Sequence, residues 1–204
     1  MKIKGFDLAV ILSFFLCAIV GVLRFENTCE EIRGDVLRLH VIAHSDSDIE
    51  QKLKLKVRDA VLNERGDIFS DTDDIALAKR KIEANLDDIR DIAKTTIEKE
   101  GFDYDVKVSL EKSFFTTRAY SDSITMPAGY YDALKIVIGQ GQGKNWWCVM
   151  FPPMCLSAAS QQTEVLSDVL TKQEMKVVTA SPKYEVRFWI VEKYWELVEK
   201  ARGR

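Results

Sequence analysis

Residues 71–111, DTDDIALAKRKIEANLDDIRDIAKTTIEKEGFDYDVKVSLE, contain the change of period that decides the fold class. Ile75, Ala78, Ile82, Leu86, Ile89, Ala93 and Ile97 recur at spacings of three and four, which predicts one long amphipathic helix from Asp71–Thr72 to Gly101. Beyond Gly101 the period becomes two. Tyr104, Val106, Val108 and Leu110 alternate with Asp105, Lys107, Ser109 and Glu111, the pattern of a strand with one wet face. A helical stripe flanked by strands lies across a sheet more readily than in a coiled coil.

Upstream, residues 36–43 (VLRLHVIA) are dense in branched apolar side chains and read as a well-buried strand. Ser47 stands three before Glu50, a capping-box spacing that opens a helix over about 48–64. Leu53, Val57, Ala60 and Val61 line its apolar face, Lys52, Lys54, Lys56 and Arg58 decorate the remainder, and Gly66 ends it. Downstream, residues 114–120 read as the hairpin partner of the 104–111 strand. Residues 131–139 and 146–151 read as two further strands joined by a flexible turn at Gly139, Gly141 and Gly143. Residues 156–182 read as a linker or poorly ordered stretch, with a short helix around Leu166 and Leu170 as the one element it could hold. Tyr184, Val186 and Phe188 alternate, and Val191, Tyr194, Trp195 and Val198 suit a terminal helix. The expected class is α+β, a mainly antiparallel sheet with helices packed on one face.

Lys2 and Lys4 precede an apolar run from Leu8 to Leu23, broken only by Ser13. Sixteen helical residues reach about 24 Å, somewhat less than a hydrocarbon core of about 30 Å. Residues 1–25 therefore read as a signal peptide or N-terminal membrane anchor, with the basic end left in the cytoplasm. Residues 26–204 would then form a single extracytoplasmic domain. Ile19 and Gly21 offer only a weak small-residue cleavage site, which favours an uncleaved anchor. The part after residue 25 carries a formal charge of −5, because three of the 29 Lys and Arg and one of the 32 Asp and Glu precede it. That charge is no footprint for nucleic acid and favours no anionic surface.

The segment 127–155, PAGYYDALKIVIGQGQGKNWWCVMFPPMC, concentrates aromatic residues, two cysteines and a double proline behind a glycine-rich tip. Its G-Q-G-Q-G-K run fails as a phosphate loop, since Ile138 stands where the first glycine is needed and Asn145 where Ser or Thr should be. It fails as a dinucleotide fingerprint as well, with Lys144 at the third glycine position and a strand following. A hairpin loop is the reading that remains. On a strand, Trp146 and Trp147 face opposite sides, so one can fill a core while the other meets a partner. Trp146, Trp147, Tyr130, Tyr131, Phe151, Pro152 and Pro153 are the candidate partner-binding residues. Cys148 and Cys155 are a candidate disulfide in an exported domain, with free thiols as the alternative; Cys29 is left odd.

Catalytic and metal sites find little support. His40 and His44, the two histidines, would lie about 13 Å apart on a continuous strand, too far for one metal. Helix capping explains Ser45, Asp46 and Ser47. A triad of Ser45, His44 and Asp46 lacks the geometry that adjacent residues rarely reach. No metal, no cofactor, no small-molecule substrate and no enzymatic activity are expected.

The stretches LRLHVIAHSDSDIEQKLKLKVRDAVL (37–62), Arg118 and Tyr120, the whole 127–155 segment and EVRFWIVE (185–192) together resemble the stage II sporulation protein R family of endospore-forming bacteria. The combination of Asn-Trp-Trp-Cys-Val with Phe-Pro-Pro-x-Cys carries most of the resemblance. His44 departs from it, because the family usually has Asn there, and this weakens any role for His44 in chemistry. The resemblance implies a protein exported from the forespore into the space between the forespore and mother-cell membranes. There it would activate a membrane-embedded aspartic peptidase, the sigma-E factor-processing peptidase, as a signal and without catalysis of its own. An exported cell-envelope hydrolase and a membrane-bridging scaffold are the alternatives.

Overall fold

The computed structural model describes residues 5–66, 68, 72, 74–121, 123–155, 161–179, 189, 191–195 and 197–198. Its centre is β1 (Leu37–Ile42), which is buried on both faces although Arg38 and His40 interrupt its branched apolar residues. β5 (Gly129–Ile138) runs parallel to β1, with Leu37 opposite Asp132 and Ile42 opposite Val137. β6 (Asn145–Phe151) runs antiparallel along its other side, and β2 (Val106–Phe115) lies antiparallel on the far edge of β5. The order is β2-β5-β1-β6, a mixed sheet in which two of three ladders are antiparallel. The α+β class is as the sequence predicts. The strands joined by the glycine tip do not form a hairpin, however, because β1 lies between β5 and β6. Residues 114–120 also divide differently. β2 continues to Phe115, and β3 (Arg118–Ser121) pairs with β4 (Ile124–Met126) in a separate two-stranded sheet. Alternation marks a strand but does not say which strand it pairs with.

Among the described residues, three helices of eight or more residues cover one face. α2 (Asp48–Arg65) begins as read, with the Ser47 hydroxyl accepting from the Glu50 N–H at 3.4 Å. The predicted long helix is two, α3 (Ile75–Ala84) and α4 (Leu86–Lys99). Asn85 makes the break. Its backbone N–H returns to the Ile82 carbonyl and its side-chain amide donates to the Lys81 carbonyl at 2.7 Å. The apolar stripe survives that break, so Ala78, Ile82, Ile89, Ala93 and Ile97 all reach the core with Leu53, Val57 and Val61 of α2. They meet Leu37, Leu39, Val41, Leu134, Ile136 and Ile138 of the sheet. Each fully buried aliphatic side chain contributes about 1.5–3 kcal/mol.

A second core lies on the opposite face. It is built from the C-terminal half of α1 (Gly5–Asp35), the β3–β4 pair, α5 (Gln162–Ser167) and α6 (Lys172–Thr179). α1 crosses the expected boundary at residue 25 without interruption. Its first part is apolar and exposed, whereas Phe25, Cys29 and Ile32 are buried. Leu8–Asp35 is long and apolar enough to cross a membrane. Arg33 pins the buried half, donating to the Ala128 carbonyl at 3.0 Å and to Glu26 and Glu30 at 2.6 and 2.8 Å. α5 and α6 occupy much of the interval read as a linker. Thr171 and Glu174 form a reciprocal capping box at the start of α6. The expected strand 184–188 lies outside the described residues, while Val191–Trp195 are helical.

Candidate partner-binding surface

β6 sets the two adjacent tryptophans on opposite faces of the sheet, as strand geometry requires. Trp146 points to the α2 side. The Arg58 guanidinium stands 4.3 Å from its ring centre, and a shallow depression of about 330 Å³ opens beside it, lined by Asp48, Gln51, Lys52, Lys54 and Leu55. Trp147 points to the other face and packs edge-on against Phe115, ring centres 5.6 Å apart, with Arg118 5.4 Å away. Both rings are half-buried, so each sits at the boundary of a core. Both indole N–H groups are shielded and have no hydrogen-bond acceptor among the described residues. Such a donor costs free energy until an acceptor meets it.

Behind Trp147 lies a buried stack of cations and rings. Arg38, on the central strand, is fully enclosed. Its guanidinium carbon lies 4.1 Å from the Phe115 ring centre, 4.7 Å from Tyr131 and 5.5 Å from Tyr120, and it donates to the Tyr120 hydroxyl. Its Nε and Nη1 have no hydrogen-bond partner among the described residues, so the rings carry much of the compensation for its charge. Tyr131 is fixed through its hydroxyl, which donates to the Pro127 carbonyl at 2.7 Å, and burial raises its pKa. His40 completes the layer, 6.0 Å from the Trp147 ring. Its Nε2 lies 2.8 Å from the Asn145 carbonyl oxygen, which can only accept, so Nε2 carries the proton, and Nδ1 has no partner among the described residues. Burial pushes its pKa below the usual histidine value, and Lys135 and Arg38 push the same way.

The other candidate residues fall into place around this layer. Tyr131, Phe151 and Pro152 are buried, so they are corrected from contact residues to supports. The reason is register: Phe151 sits opposite Leu37 in the ladder, at the core side of a bulge. Tyr130 is half-buried and packs with Phe114 and Trp195, away from the tryptophan pair; Pro153 is half-buried. Cys148 and Cys155 are bridged, with Cα atoms 5.9 Å apart, and the Cys155 N–H donates to the Val149 carbonyl at 3.1 Å. The bridge encloses a cis Phe151–Pro152 bond. Cys17 and Cys29 are free thiols.

The glycine-rich tip is docked, where the sequence suggests a flexible turn. The N–H groups of Gly143 and Gln142 donate to the carbonyls of Ala43 and His44 at 2.9 and 3.2 Å. Lys144 N–H donates to Asp46 at 2.7 Å, and the buried Lys54 ammonium donates to the Lys144 carbonyl at 2.8 Å. Gly143 is needed for this approach, because a Cβ there would lie 2.2 Å from the Ser45 carbonyl oxygen. His44 is consumed by the same docking. Its ring stacks on Tyr104 at 4.2 Å and its Nδ1 accepts from Gln140 N–H at 3.1 Å. Asp46 is likewise engaged, and no group of three or more His, Cys, Asp or Glu side chains converges among the described residues. Arg38, Arg58, Phe115 and Arg118 were not among the residues singled out for binding. An arginine inside an otherwise apolar strand was the available signal for Arg38.

Comparison with known proteins adds a relationship. A family model described as stage II sporulation protein R matches residues 33–161. The stage II sporulation protein R of Bacillus subtilis (strain 168) is 38% identical over 187 residues, covering 82% of this chain and 83% of that protein. No solved structure matches.

Proposed function

The chain belongs to the stage II sporulation protein R family, and from that premise we propose that it is an exported signal that activates a membrane-embedded aspartic peptidase. The peptidase is the one that processes the sigma-E precursor, and the signal acts in the space between the forespore and mother-cell membranes. The apolar N-terminal helix supports export. The observation that carries the binding role is Trp147. It is half-buried and held between Phe115 and the exposed Arg118, so part of a large aromatic ring faces outward beside a cation. A peptidase loop would cover the exposed part of the ring. Trp146 and the depression beside it offer a second contact on the other face.

A ligand activates its receptor only by binding the active state more tightly than the inactive one, and about 1.4 kcal/mol of difference gives a tenfold shift. No catalytic step is assigned to the chain. His40 pairs with Asn145 and His44 with Gln140, so neither histidine is hydrogen-bonded to a carboxylate or a cysteine, as a hydrolase would need. Co-expression with the peptidase and its pro-sigma substrate in a non-sporulating host tests the proposal. Processing should depend on this chain and fall at least tenfold with Trp147→Ala, in a variant that is still exported and still unfolds cooperatively. Undiminished processing by a folded Trp147→Ala protein would remove Trp147 from the interface. Processing without the chain would remove the function.

A further inference from the structure

α1 runs without a break from its exposed apolar part into the second core. Leu23 is 57% exposed, Arg24 is exposed, and Phe25 is 5% exposed in the second core. Two residues of helix advance about 3 Å. The apolar segment that would enter lipid therefore ends at the surface of the folded domain, with no linker between them. A domain attached this way abuts whatever the apolar segment enters.

The elements flanking α1 at that level have the chemistry of a membrane interface. On one side α6 lies against residues 21–28. Gly21, Arg24, Phe25, Thr28, Gln173 and Lys176 border a hollow of about 230 Å³, and Arg24, Lys172 and Lys176 are exposed. On the other side, Val22 and Leu23 share a mainly apolar groove of about 480 Å³ with Val191, Tyr194 and Trp195, and Glu26 and Glu30, both bonded to Arg33, complete its lining. Trp189, Tyr194 and Leu197 project from that C-terminal helical segment and are 58%, 56% and 68% exposed. Large exposed apolar groups beside a polar domain surface are unfavourable in water. Tryptophan and tyrosine are favoured at the headgroup level, and lysine and arginine there reach anionic phosphates.

We propose that this end of the domain is a second membrane-binding site, seated on the phospholipid bilayer that α1 enters, with Trp189, Tyr194 and Leu197 in the interface on one side of α1 and Arg24, Lys172 and Lys176 at the phosphates on the other. The surface is continuous with the exposed apolar face of α1, which is why lipid is its occupant. The inference rests on α1 acting as the membrane-entering helix. Its consequence is orientation: the domain is held at a fixed attitude to the bilayer and is not free to tumble on a tether.

The test uses the full chain reconstituted in phosphatidylcholine–phosphatidylglycerol vesicles, with and without phosphatidylcholine brominated near the top of its acyl chains. Wild-type tryptophan emission should be quenched by the brominated lipid. Trp189→Phe should remove at least half of that quenching, and Trp147→Phe should leave it unchanged. Tyr194→Trp in the Trp189→Phe background should restore it. Vesicle flotation separates the two failures. A protein that floats with the vesicles yet shows the same quenching after Trp189→Phe overturns the seating alone. One that does not float overturns the membrane role of α1 as well.

Discussion

At the scale of single residues, burial changes what side chains can do. His40 is buried between Trp147 and Phe115, and that burial, with the cations Lys135 and Arg38, presses its pKa down while the Asn145 hydrogen bond and Glu111 oppose it. A histidine whose folded pKa lies below its unfolded value of 6.5 binds its proton more readily in the unfolded chain. Its contribution is therefore present above pH 6.5 and lost as pH falls through the folded value, by at most about 1.4 kcal/mol per pH unit. Thermal unfolding at pH 7.5 and 5.5 should show a drop for the wild type, and His40→Gln should flatten it. An equal drop in both would discount His40. Glu50 and Glu111, whose hydrogen bonds hold them below the usual carboxylate range, act only at more acid pH. The opposed faces of Trp146 and Trp147 could be read from strand alternation. Their arginine neighbours could not, because Arg58 and Arg118 come from elements far away in the chain. Lys54 misled for the same reason. Helical periodicity put it with the solvated lysines, but the loop before β6 folds over it, and burial lowers its pKa.

At the scale of elements, caps and breaks decided the boundaries. Ser47 announced α2 correctly, and Thr171 with Glu174 carried the same signal for α6 inside a stretch whose polar composition suggested a linker. Asn85 divided the long helix because its side chain supplied the hydrogen bond that ends α3, while the stripe of apolar residues ran on unchanged. The glycine tip shows the reverse. Its composition suggests freedom, and its backbone is tied to residues 43–46. Gly143→Ala should therefore cost on the order of 2 kcal/mol, since its Cβ would meet backbone at Ser45 and cannot be relieved by a rotamer change. Gln142→Ala, whose exposed side chain is not needed for the docking, should stay within about 0.5 kcal/mol. Denaturant unfolding of the two variants checks this. Equal stability would mean that the tip shifts at no cost.

At the scale of the whole molecule, α1 belongs both to a membrane-compatible segment and to the domain. Phe25, Cys29 and Ile32 are buried in the second core, and Arg33 ties them to the turn before β5. Losing them would remove roughly 5 kcal/mol or more, a large part of the 5–15 kcal/mol typical of a domain. A chain beginning at residue 25 should fold with a cooperative transition, and one beginning at residue 36 should lose it. Circular dichroism melts of the two will decide, and equal melting temperatures would deny α1 a structural role. The sequence by itself determined the α+β class, the apolar N-terminal helix, the central buried strand and the opposed tryptophans. All of these follow from periodicity and hydropathy within one segment, where neighbours along the chain are neighbours in space. Only the tertiary structure decided that β1 separates β5 from β6, that α1 completes a second core, and that arginines stand beside both tryptophans. Those facts depend on which surfaces meet across tens of residues, and that choice is made by the packing of the whole chain.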